Sequence, residues 1–278
     1  MLKLKLLFFV FCLFSVNHLL ACRSMDIKAE NLTKAITMAL KLHTFLEKEQ
    51  PEIALVARVG SDLSRYQMVY SHMGIVMRSH PQGKWIFIHL LNHCGSNKAA
   101  LFDEGLIPFF NDRPFRYQAL VIFLKPALQQ KIKQVLLNGT AEQLFDSDYN
   151  MLASPYKQET QNSNQWVLEV IASAQSYYLN ATERLAAQRI LALSGYQGEK
   201  IKLSFWQKLG SIFKDNVNLN EQNNQKNIEF VSVRSVISYL EAQQQIIFKE
   251  TILLTDQHPI KNRKTNKNKA MDAFWGRY

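Results

Sequence analysis

Ser163 lies in Gln161-Asn162-Ser163-Asn164-Gln165-Trp166, a polar stretch that opens an apolar run. Asn162 is a good helix N-cap, and Gln165 stands at capping-box spacing from it. Ser163 then occupies the first turn, where the positive end of the helix dipole stabilises developing negative charge. Upstream, Tyr70-Ser71-His72-Met73-Gly74-Ile75 and Trp85-Ile86-Phe87-Ile88-His89-Leu90 each carry a histidine in a strand-like segment. Histidines on two adjacent strands supply a base and its orienting group for a nucleophile. A plain helix start explains Asn162 and Gln165, but not the polar Ser163 and Asn164 or the long loop before them. A core histidine is the plain reading of His72 alone. Gly74, two residues on, removes a side chain from its face and allows close approach. His89 sits in an otherwise apolar run, where a buried imidazole needs partners at both nitrogens.

Two other sets compete for the chemistry. Cys94, after His93, is an alternative nucleophile, but it falls in a loop-like stretch with no helix behind it. His89, His93 and Cys94 are a conceivable metal set. On a strand, however, an i, i+4 pair stands about 13 Å apart, too far to share an ion. No metal or cofactor is expected.

The elements that must hold these groups follow from apolar spacing. Met25 to Gln50 has helical periodicity and stops at Pro51. Strands are expected over 54–59, 67–78, 84–91 and 117–124. His80-Pro81-Gln82-Gly83 joins the middle two as a hairpin. Pro126 opens a helix carrying Leu128, Ile132, Val135 and Leu136, which Asn138-Gly139 ends. Residues 146–160 read as loop. The next helix, 163–177, buries Trp166, Val167, Val170, Ile171 and Ala174, and another follows over 181–193. Residues 216–227 are Asn/Gln-rich and linker-like, and 230–254 mixes strand and helix signals. The fold class is α+β, an antiparallel sheet packed by helices.

A 278-residue chain that is 47% hydrophobic can bury a substantial core. Its formal net charge of +10 is concentrated at the C-terminus, where residues 257–278 carry six Lys/Arg against Asp272 alone. Such a tail is ordinarily solvated. Nucleic acid is not an expected partner, because residues 1–21 read as a secretory signal: Lys3 and Lys5, then the apolar run Leu6 to Val16. That run is shorter than a membrane span. Leu19-Leu20-Ala21-Cys22 resembles a bacterial lipobox, which makes Cys22 a lipidation site and a membrane anchor. A Cys22–Cys94 disulfide is the alternative use of that thiol in an oxidising compartment. The expected location is therefore outside the cytoplasm, in the periplasm or on a membrane.

The order Ser71-His72-Met73-Gly74-Ile75, Ile86-Phe87-Ile88-His89, then Asn162-Ser163-Asn164-Gln165-Trp166-Val167 resembles the circularly permuted NlpC-type papain-like superfamily. There the histidine strand precedes the nucleophile helix. Ala57-Arg58-Val59-Gly60-Ser61-Asp62-Leu63, His89-Leu90-Leu91-Asn92 and Gln161 to Glu169 resemble, more closely, an uncharacterised family of bacterial envelope proteins, DUF2145. The resemblance covers residues 54 to 175. It implies a papain-like core, Ser163 as nucleophile, His72 as general base and His89 as the orienting residue, with Asn162, Asn164 and Gln165 supporting them. Ser163 departs from the superfamily's cysteine. A thiol ionises readily beside histidine, whereas a hydroxyl must lose its proton during attack. The expected organisation is a signal (1–21), an N-terminal helix (22–53), the core (54–200), a C-terminal extension (201–256) and the basic tail (257–278). The expected function is amide or ester hydrolysis, on a peptidoglycan peptide or a lipid-linked acyl group. A non-catalytic binding or assembly protein on the same scaffold is the alternative.

Overall fold

The computed structural model describes residues 28–176, 181–203, 216–219 and 227–254. The signal segment, Cys22 and the basic tail lie outside the described residues. A six-stranded sheet organises the rest, with β1 (Ile53–Val59), β2 (His72–His80), β3 (Gly83–Asn92), β4 (Ala99–Glu104), β5 (Arg116–Leu124) and β8 (Ile246–Leu253) in the order β4-β3-β2-β1-β5-β8. All neighbours are antiparallel, so the α+β expectation holds. β6 (Glu199–Ile201) and β7 (Ile228–Phe230) form a separate hairpin.

β1 is buried at all seven positions because helices cover the sheet on both faces. Ala54 and Val56 face α1 (Ala29–Glu49) and α2 (Leu106–Phe110). Ile53, Leu55 and Ala57 face α3 (Pro126–Leu137) and α5 (Ser163–Gln175). Along α1, Ala35, Met38, Ala39, Leu42 and Leu46 make one buried stripe, the spacing of an amphipathic helix. Gln50 ends it in the left-handed region, φ 52°. Pro126 takes the first position of α3, where its missing N–H is no loss. Gly139 then turns at φ 83° into the short α4 (Thr140–Gln143).

The β2–β3 hairpin closes at His80 opposite Gly83, over the expected Pro81-Gln82 turn. β2, however, begins at His72 rather than 67. A 3-10 turn at Ser64–Tyr66 and the left-handed Gln67 keep the preceding residues out of the ladder. β4 has no counterpart in the expected strands, because its six residues at the sheet edge carry no alternation. Beyond 201, the stretch expected as an extension also builds the main fold. α7 (Val233–Ala242) puts Val233, Val236, Tyr239 and Leu240 into the α3/α5 core, and β8 pairs with β5.

α5 was expected to bury one face, yet every residue from Ser163 to Ala174 is buried. α3, α6 (Arg184–Leu193), α7 and the sheet enclose it. That closure takes in a charged group. Glu169 is 0% exposed and accepts from Gln161 Nε2 (2.6 Å), Gln188 Nε2 (2.9 Å), Arg184 Nε (3.1 Å) and Gln165 Nε2 (3.2 Å). Burial pushes its carboxyl up, and Arg184 and the amides oppose that. With donors on every side the carboxylate stays ionised. Arg184 goes on to Asp146 Oδ2 (2.8 Å), Thr160 O (2.9 Å) and Gln158 O (3.0 Å). The hub therefore pins the 146–160 loop against the start of α5. Removing Glu169 leaves the buried amides of Gln161, Gln165 and Gln188 and the Arg184 Nε–H without their shared acceptor, which costs about 3–5 kcal/mol. Glu169→Ala should lower the urea unfolding free energy by that amount, and a loss below about 1 kcal/mol would contradict the hub's role.

Candidate active site

The first residues of α5 reach the end of the sheet where β2 begins. Asn162 Oδ1 accepts the Gln165 N–H (2.8 Å), and its Nδ2 donates to Val231 O (3.2 Å) and Met151 O (3.3 Å). The N-cap is thus tied to two neighbouring segments. Gln165 does not complete a capping box; its side chain turns to Ser154 O (3.2 Å) and Glu169. The carboxylate hub outcompetes the local bond. Asn164 Nδ2 donates to Ser71 O (3.3 Å), which ties the helix start to the entry of β2.

Ser163 Oγ lies 3.0 Å from His72 Nδ1. His72 Nε2 lies 2.9 Å from His89 Nδ1, and His89 Nε2 lies 3.0 Å from Glu104 Oε1. The three residues singled out from the sequence meet, and a fourth, Glu104, ends the chain. Its detection needed β4, whose pairing sets His89 opposite Phe102 and brings Glu104 two residues further along the same strand. Alternation then puts both on one face.

Glu104 gives the chain a direction. A carboxylate only accepts, so His89 must hold its proton on Nε2. A neutral His89 then accepts at Nδ1, which requires the His72 proton on Nε2. His72 Nδ1 is left as an acceptor, and Ser163 O–H donates to it. One charged group thus selects both tautomers and leaves the base nitrogen facing the hydroxyl.

Gly74 makes the packing possible. A Cβ there would stand 2.3 Å from Phe87 Cε1 and 2.8 Å from His89 Cβ. The close approach expected at this glycine is therefore made by the second histidine and its neighbour. Phe87 packs edge-on to His89, with ring centroids 5.0 Å apart, and Phe109 lies 5.7 Å from His89 and 5.9 Å from His72. The aromatic rings screen both imidazoles from water.

Arg58 sits opposite His72 on β1 and is likewise buried. It donates to Phe109 O (2.6 Å), pairs with Asp112 and lies over the Phe109 ring, 4.9 Å from its centroid. Nothing in its sequence context singled it out. Burial holds the His72 pKa well below the ordinary 6.5, and the charges of Arg58 and His89 push it the same way. Burial also lowers His89, but the bond and charge of Glu104 oppose that. Positive charge is therefore better tolerated on the second ring than on the first.

Ser163, His72, Asn162 and Asn164 border a cavity of about 230 Å³. A helix's first N–H groups have no intrahelical acceptor. With that of Gln165 taken by Asn162, those of Ser163 and Asn164 are left without an intrahelical acceptor, and both residues border the cavity. Ser61 Oγ and Asn164 Oδ1 are buried there without a protein partner. Cys94 also borders the cavity, but a disulfide takes up its thiol, with a partner outside the described residues. That removes it as the alternative nucleophile. The conceivable His89–His93–Cys94 metal set does not assemble, since His89 is turned to His72 and Glu104. Among the described residues no group of three His, Cys, Asp or Glu side chains could hold a metal ion.

The model of a family described as uncharacterised proteins conserved in bacteria, DUF2145, matches residues 45–240. The chain belongs to the DUF2145 family. The match takes in Arg58, His72, His89, Glu104 and Ser163, so the whole relay lies within the family's domain. No curated protein and no solved structure matches the chain. Among the described residues no helix is long and apolar enough to cross a membrane.

The two histidines make stability depend on pH. Both folded pKa values lie below 6.5, so the unfolded chain binds protons first as pH falls. Their contribution is complete above about pH 6.5 and is lost as pH drops towards the folded values. The melting temperature should fall between pH 7.5 and pH 5, and fall less in a His72→Gln/His89→Gln variant. Equal falls in the two proteins would contradict neutral, buried imidazoles.

Proposed function

We propose that this DUF2145 protein is an ester or amide hydrolase of the bacterial cell envelope, with Ser163 as its nucleophile. The observation that carries the reading is the continuous chain Ser163–His72–His89–Glu104, with links of 3.0, 2.9 and 3.0 Å. A structural serine has no need of a base whose tautomer is set from two groups away. On this reading Ser163 Oγ attacks the substrate carbonyl as His72 Nδ1 takes its proton. His72 passes its Nε2 proton to His89, and the imidazolium comes to rest beside Glu104. The relay moves the charge away from Arg58 to the ring with a carboxylate partner. The Ser163 and Asn164 N–H groups would receive the oxyanion, a contribution worth about 10²- to 10³-fold per donor in other hydrolases.

The fold supports a permuted papain-like assignment: the histidine strands precede a buried helix whose first residue is the nucleophile. Export and a substrate in the envelope belong to the same proposal and rest on the N-terminal sequence; a lipid on Cys22 is not part of it, because it would exclude that thiol as the partner of Cys94. The Cys94 disulfide accords with an oxidising compartment. A non-catalytic binding protein is the second reading; serine in place of cysteine and the charge of Arg58 beside His72 favour it.

A fluorophosphonate probe separates the two. The hydrolase reading expects covalent labelling that disappears in Ser163→Ala and His72→Ala. In Glu104→Gln the rate should fall about 10²- to 10⁴-fold, because an amide can donate to His89 and reverse the tautomers. Labelling no faster than in Ser163→Ala would leave the binding protein.

A further inference from the structure

The cavity beside Ser163 has its own apolar wall. Met68 comes from the loop before β2, Leu152 from the loop before α5, and Ile201 and Phe230 from the β6–β7 hairpin. These four belong, with Leu203, Val217 and Ile228, to a small core separate from the two that flank the sheet. Leu63 and Met151 pack against it and also line the cavity. The fold thus brings three distant segments together to build an apolar chamber with the nucleophile at its edge. Arg58 and Asp112 are the charged side chains among the lining residues, and they pair with each other. Among the described residues at the cavity, no charged side chain is left over for the carboxylates or ammonium groups of a peptide stem. Such charged groups would be buried here without ionic partners.

Resting on the hydrolase reading, we propose that the substrate is a carboxylic acyl derivative with a medium-length apolar chain, which lies along Met68, Leu152, Ile201 and Phe230 with its carbonyl at Ser163. The volume sets the length. An apolar cavity of about 150 Å³ accepts benzene, so about 230 Å³ accepts roughly nine carbons. The chemistry balances with water as co-substrate. Ser163 Oγ bonds to the acyl carbon, and its proton goes to the relay. The bond to the leaving alcohol or amine then breaks as the relay returns that proton to it. Water repeats the sequence on the acyl-serine, releasing the carboxylic acid and restoring Ser163.

The full chain is assayed on p-nitrophenyl esters of two to sixteen carbons. Each methylene that enters the chamber is worth about fourfold. The expected result is a kcat/KM that rises more than tenfold from two to eight carbons and falls beyond about ten. Ile201→Trp should move the maximum to shorter chains. In parallel, binding of the neutral amides butanamide, octanamide and dodecanamide is measured calorimetrically on the unmodified protein, with octanamide expected to bind tightest. Hydrolysis with a flat profile, or with a maximum at the acetate ester, overturns the acyl assignment and leaves the hydrolase reading standing. Octanamide preference without hydrolysis of any ester supports the acyl chamber and overturns the hydrolase reading. Neither hydrolysis nor chain-length preference overturns both.

Discussion

The hydrogen bond between His89 Nε2 and Glu104 Oε1 is the interaction on which the site depends. Neutral imidazole is symmetric in its choices: either nitrogen can carry the proton. In a row of two imidazoles and a hydroxyl, nothing intrinsic says which end donates. A single acceptor-only group at one end removes the ambiguity along the whole row. Without it, His72 is as able to donate to Ser163 as to accept from it, and the hydroxyl would gain no base.

Holding four groups in line places demands on the scaffold. The histidines lie inside a face of the sheet covered by α1 and α2, with Phe87 and Phe109 against their rings. That burial depresses their pKa values and keeps them neutral. Ser163 must arrive from the helix on the opposite side, so the start of α5 has to be fixed to within a hydrogen bond's tolerance. Asn162 ties it to Met151 and Val231, Asn164 ties it to Ser71, and Glu169 ties it through Arg184 to the 146–160 loop. The charge buried at Glu169 is explained by this requirement. A purely apolar helix packs as well, but it holds no loop.

Much of this was legible in the residues. The N-cap type of Asn162 located the first residue of α5 correctly, because capping is a local bond. The Pro81-Gln82 turn located the hairpin for the same reason. Gly74 marked a close approach before it was known what approached. Glu104, by contrast, was hidden, because its strand is short, lies at an edge and shows no alternation. Arg58 and the Glu169–Arg184 pair were equally hidden. Their partners, Asp112 and Asp146, are 54 and 38 positions away in the chain, and no local pattern records a contact of that range. The strand in the mixed signals of 230–254 was hidden for the same reason: β8 is a strand only because β5 offers it an edge.

The directionality of the relay is open to direct observation by ¹⁵N NMR of the histidine side chains near neutral pH. The account predicts that both His72 and His89 are neutral and protonated on Nε2, with unprotonated Nδ1 signals. A His72 protonated on Nδ1, or charged, would contradict it.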